Sequence, residues 1–66
     1  MRQRLDDLQL SEGQRWTVYF PGGKDPRTLL ATGEYDATKK AHLMKDARTN
    51  QPEWVPGWLV AKPAKR

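Results

Sequence analysis

Between Arg15 and Phe20 apolar and polar side chains alternate. Trp16, Val18 and Phe20 fall on one face and Arg15, Thr17 and Tyr19 on the other, a period of two that predicts a half-buried strand. Pro21-Gly22-Gly23-Lys24-Asp25-Pro26 follows. Its glycines reach positive φ without steric cost and its prolines cannot donate to a ladder, so the segment predicts a hairpin loop. Arg27 to Glu34, with Thr28, Leu29, Leu30 and Thr32, predicts the return strand. Two registers compete there: Leu29, Ala31 and Tyr35 share one parity, while Thr28, Leu30 and Thr32 share the other. Gly33 marks a bulge or a close backbone approach near the strand end. Upstream, Leu8 and Leu10 precede the turn-like Ser11-Glu12-Gly13-Gln14, which predicts a short strand over residues 7 to 10 pairing with the next segment.

After Tyr35 the pattern changes. At about 100° per residue, Ala37, Ala41, Leu43, Met44 and Ala47 gather on one arc, opposite Thr38, Lys39, His42, Lys45 and Asp46. Asp36 suits the N-cap of such a helix, Asn50 its left-handed close, and Pro52 forbids continuation. A helix over Ala37 to about Thr49 is therefore predicted, its small alanines letting it lie close to a sheet. Trp54-Val55-Pro56-Gly57 reads as a type II turn with Pro then Gly as its central pair. Trp58 to Ala61 reads as a last strand. The predicted fold class is α+β: a small antiparallel or mixed sheet of three to four strands with one α-helix packed on one face, in ββαβ order.

With 66 residues the chain holds one domain at most. Its expected organisation is a flexible N-terminus over residues 1–7, a single domain over 8–61 and a basic tail over 62–66. A core this small has to rest on a few large side chains, with Trp16, Trp54, Trp58, Tyr19, Phe20 and Tyr35 as the candidates. The absence of cysteine excludes disulfides, Cys-ligated zinc, iron–sulfur clusters and thiol catalysis, and fits a reducing cytoplasm. No apolar run approaches the roughly 20 residues of a membrane-spanning helix, and Met1 to Leu10 is no signal peptide. The start Met ahead of a nearly complete domain reads as a whole small gene product.

Charge changes the picture only by where it lies. The net charge is +4, but residues 15 to 61 carry seven Lys or Arg against five acids, and much of the excess comes from Lys62, Lys65 and Arg66. Overall basicity is thus a weak pointer to nucleic acid.

The residues do not assemble a catalytic set. His42 is the only histidine. On the polar arc with Thr38 and Asp46 it would lie flat on a helix surface, with neither cleft nor oxyanion donors, and it reads as a solvated side chain. Scattered carboxylates provide no metal-ligand spacing, so no metal and no cofactor is expected. Gly22-Gly23-Lys24 lacks the second Gly and the Gly-Lys-Ser/Thr ending of a phosphate-binding loop, although Lys24 and Arg27 could touch a phosphate backbone, as could Lys62, Lys65 and Arg66.

What remains is binding. Three tryptophans exceed what so small a core easily encloses. Trp54 and Trp58 flank Pro56-Gly57, so either at least one projects outward as an interface anchor or both fold back to cap the core. The expected function is a non-enzymatic docking protein that occupies an acidic surface on a larger partner. In size it resembles phage-type inhibitors or modulators of nucleic-acid-processing complexes. Trp54, Trp58 and Tyr19 are the anchors, with Lys39, Lys40, Lys45 and Arg48 steering by charge. The alternative is direct DNA or RNA binding through the same basic helix and the tail.

Overall fold

The computed structural model describes residues 2–64; Lys65 and Arg66, two of the expected phosphate contacts, lie outside the described residues. The chain forms six strands: β1 (Gln3–Arg4), β2 (Arg15–Tyr19), β3 (Arg27–Asp36), β4 (Ala41–Asp46), β5 (Pro52–Pro56) and β6 (Val60–Pro63). They make one antiparallel sheet in the order β1-β6-β2-β3-β4-β5. The one helical element among the described residues is a 3-10 turn at Leu5–Asp7. The expected α+β class is therefore overturned: the protein is all-β, and the predicted helix over Ala37–Thr49 is β4 with a turn at each end.

The cap residues explain how. Asp36 Oδ1 accepts the backbone N–H groups of Thr38 (2.8 Å) and Lys39 (3.1 Å), as an N-cap would, but Lys40 then takes φ of 53° and the chain turns back. Ten residues on, Asp46 Oδ1 accepts from Arg48 (2.7 Å) and Thr49 (3.1 Å), and Asn50 takes φ of 63°. Short polar side chains that accept local amides, and residues tolerant of the left-handed region, serve turns as well as helix ends. A lone three-turn helix is marginal, whereas β4 is paired on both sides.

The sheet curls around one core. Trp16 and Val18 of β2, Leu29 and Ala31 of β3, Met44 of β4, Val55 of β5 and Ala61 of β6 all point inward with Leu5 and Leu59. This settles the β3 register in favour of Leu29 and Ala31. Between Ala31 and Tyr35 the register with β4 shifts. Gly33 sits there at φ of 86°, with nothing near enough to hinder a side chain, so the bulge needs its backbone conformation. The Thr32 hydroxyl bridges the gap by donating to Leu43 O at 2.7 Å.

The N-terminal segment expected to be flexible carries β1 and the fully buried Leu5. Leu5 N–H donates to Leu59 O (2.9 Å), Asp6 N–H to Gly57 O (3.0 Å) and Gly57 N–H to Lys40 O (3.0 Å). The N-terminal segment thereby joins the β5–β6 turn to the far end of β4 and closes the curl. No strand forms over residues 7–10; Leu8 and Leu10 pack half-buried against the core.

β5 is an open edge, protected by its prolines. Asp46 N–H bonds Gln51 O and Gly57 N–H bonds Lys40 O. The alternation of the ladder then turns the backbone groups of Pro52, Trp54 and Pro56 away from β4. Two of these three positions have no N–H to offer a new strand.

Candidate functional site

The most exposed large apolar side chain among the described residues is Trp58, 59% exposed. Its position follows from the turn that carries it. Leu59 N–H donates to Pro56 O (3.2 Å) and Leu59 O accepts from Leu5, burying Leu59, so Trp58 beside it is held outward. Gly57 has no positive φ, and Trp54-Val55-Pro56 belongs to β5, which corrects the predicted type II turn. The turn is one residue later, with Gly57-Trp58 as its central pair, and a Cβ at position 57 would displace the Asp6 carboxylate from its place beside His42.

Opposite Trp58 stands the end of β2. The pairing of Tyr19 with Val60 brings Tyr19, Phe20 and Pro21 against Trp58, Leu59 and Val60 around a shallow, mainly apolar groove of about 360 Å³. The guanidinium of Arg2 lies 4.1 Å from the Tyr19 ring centre, and that of Arg27 lies 5.5 Å from the centre of Phe20. These are cation–π distances that leave the groove with a basic rim.

Trp54 is not part of this groove. It lies on the outer face of β5, 38% exposed, with the Lys39 ammonium 4.8 Å from its ring centre. Trp16 is in the core; its indole N–H is the one buried side-chain polar atom without a partner among the described residues. Of the three expected aromatic anchors, the structure brings together Tyr19 and Trp58. Phe20 and Pro21, which complete the groove, were not singled out as binding residues. Their signal was faint, since strand parity assigns Phe20 to the core and Pro21 to a loop.

The expected basic helix face does not exist. Lys39 and Lys40 lie in the turn before β4, Lys45 on the outer face of β4, and Arg48 in the turn after it. β4 separates the two turns by six residues, about 20 Å at strand rise. Lys24 is in the β2–β3 loop, and Lys62 lies in β6 opposite Thr17. Arg27 is part-exposed but committed within the protein's own contacts: Nη2 bonds Asp46 Oδ2 (2.7 Å) and Glu53 Oε1, and Nη1 bonds Glu53 Oε2 (3.1 Å). Its pKa is raised above the usual range, first by Glu53 and then by Asp46. Asp46 is lowered to about 2, first by Arg27 and then by the amides of Arg48 and Thr49. This network plugs one end of the curl.

His42 plugs the other. It is not on a solvated helix face with Thr38 and Asp46. Its side chain is 14% exposed, with Nε2 3.0 Å from Asp6 Oδ1 and its ring 4.7 Å from that of Tyr35. A cleft of about 230 Å³ beside it is lined by Leu8, Leu10, Glu34 and Tyr35 among others. The geometry gives His42 a structural task, tying the N-terminal segment to β4. No cluster of three metal-ligating side chains occurs among the described residues, and no helix there is long and apolar enough to cross a membrane.

Comparison of the chain with family profiles, curated proteins and solved structures returns no match.

Proposed function

We propose that this protein is a non-enzymatic docking module whose Trp58–Tyr19 groove seats against an apolar, acid-rimmed surface of a larger protein. The observation that carries it is the groove itself. A tryptophan with more than half its surface in water gains nothing for the core, yet the turn that presents it is tied down on both sides by backbone hydrogen bonds. Rigid aromatic anchors of this kind lose little entropy on binding and dominate interface energetics. Arg2 at the rim supplies the charge that would steer an acidic partner.

The test is site-specific photocrosslinking in nuclease-treated lysate, with the photoreactive side chain at position 58 and, as control, at position 49 in the β4–β5 turn. A discrete adduct from position 58 that disappears with Tyr19→Ala is expected. Equal adducts from both positions, or an adduct indifferent to Tyr19→Ala in a folded protein, refutes the groove.

A further inference from the structure

We propose that the outer face of β6, β2, β3 and β4 binds the phosphate backbone of single-stranded nucleic acid, through Arg15, Lys45 and Lys62. The inference is independent of the groove and rests on how the curl sorts charge.

Burial of Trp16, Val18, Leu29, Met44 and Ala61 fixes the parity of four adjacent strands. Their outward positions are then Arg15, Thr17 and Tyr19 on β2; Thr28, Leu30 and Thr32 on β3; Leu43 and Lys45 on β4; and Val60 and Lys62 on β6. Three cations and no carboxylate stand at these positions; past the bulge β3 continues to the exposed Glu34 and to Asp36, paired with Ala41 on the parity of Leu43 and Lys45, at the opposite end of the strand from the Arg15 row. Five of the eight acids are engaged elsewhere: Asp46 and Glu53 on Arg27, Asp7 on Arg4, Asp6 on His42, and Asp36 on the turn amides. Glu12 borders the face near Lys45 without pairing to it. Among the described residues none of Arg15, Lys45 and Lys62 forms an ion pair.

Their spacing is set by the ladder. Arg15, Leu30 and Lys45 lie in one row across three strands, which places the two cations about 10 Å apart at the backbone. Lys62 pairs with Thr17 and so sits diagonally from Arg15, about 7–8 Å away. The hydroxyls of Thr17 and Thr28 stand between them as donors for phosphate oxygens. The surface is convex and carries no protruding helix or ribbon to enter a groove. A single strand can follow that curvature, whereas a stiff duplex touches it along a short arc. Contacts to phosphate without base edges make the binding indifferent to sequence.

The experiment uses fluorescence anisotropy with a labelled oligo-dT 20-mer and the full chain. Three single-strand contacts predict a slope of about −2 in log affinity against log salt, so affinity falls about 20-fold from 50 to 200 mM. Arg15→Gln/Lys45→Gln/Lys62→Gln should lose most of that slope and at least about tenfold in affinity at 50 mM. Lys24→Gln/Lys39→Gln/Arg48→Gln removes the same charge from loops and turns and should stay within about twofold. Matched melting temperatures confirm that both triples fold, and Trp58→Ala should leave oligonucleotide binding intact. No binding at 50 mM salt, equal losses in the two triples, or equal affinity for polyglutamate or for duplex DNA of the same length overturns the proposal. None of these results bears on crosslinking from position 58.

Discussion

Leu5→Ala tests whether the first residues belong to the fold. Leu5 has no exposed surface, so truncation removes three buried carbons at about 0.8 kcal/mol each, roughly 2.4 kcal/mol of transfer free energy. A residual cavity adds to this. Leu8, half-buried against the same cluster, can fill part of it, so the expected total is about 2.5–3.5 kcal/mol. For 66 residues the whole stability is about 3–10 kcal/mol, and the loss corresponds to a drop of about 10–25 °C in Tm. Thermal unfolding followed by tryptophan fluorescence reads it directly, and Leu8→Ala, already part-exposed, should cost less than half as much. A drop under about 5 °C for Leu5→Ala would mean that the N-terminal segment is not docked, and the closure through Leu59 and Gly57 would go with it.

The Arg27 network predicts an acid limb. Asp46 is lowered to about 2 from an ordinary 3.8, so its contribution is fully present above pH 4 and is lost as pH falls through 2; denaturant midpoints measured from pH 7 to 2 should fall in that window, and Asp46→Asn should flatten the fall. Pro52→Val restores an outward N–H on β5, and sedimentation should then show concentration-dependent self-association absent from the parent; a strictly monomeric variant would sink the edge-protection account. Trp58→Ala should change stability by no more than about 0.5 kcal/mol, as expected for an exposed position, so a large loss in Tm would reassign that side chain to the core.

Strand β2 was legible because its inward Trp16 and Val18 alternate with polar residues in an uninterrupted period of two, the loop after it because of its glycines and prolines, and β3 as a strand, though not in its register, because of its β-branched and apolar content. β4 was not, for a physical reason. Its inward residues are His42, Met44 and Asp46, of which only Met44 faces the middle of the core; the other two plug its ends with Asp6 and Arg27. Ala41 and Leu43, on the other parity, are also shielded. With polar groups inside and apolar groups outside, the alternation vanishes and the helical period takes its place, reinforced by residues of good helix propensity. The cap-like Asp36 and Asn50 were read correctly as local amide acceptor and left-handed residue, and wrongly as helix ends. Of the candidate site, the outward Trp58 and its partner Tyr19 were within reach of sequence; Phe20 and Pro21 were not, because joining them to Trp58 requires the β2–β6 pairing between distant parts of the chain.

That pairing also dictates where any function has to lie. The interior is filled: Trp16, Leu29, Met44 and Val55 belong to one buried cluster, and both open ends are stoppered by polar side chains that are already paired. A ligand therefore cannot enter the curl, as it does in larger barrels whose side chains leave a cavity. What the fold leaves uncommitted is on its outside, an aromatic groove at one seam and three cations on the sheet that form no ion pair among the described residues. Both cost stability or solubility rather than adding to it, since exposed tryptophan invites association and adjacent cations repel. The two features share the β6–β2 pair, Tyr19 with Val60 and Thr17 with Lys62, so a partner seated in the groove would bring any nucleic acid it carries to the edge of the basic face. On the two proposals made above, a chain with one small core would gain two adjoining contact surfaces without a second domain.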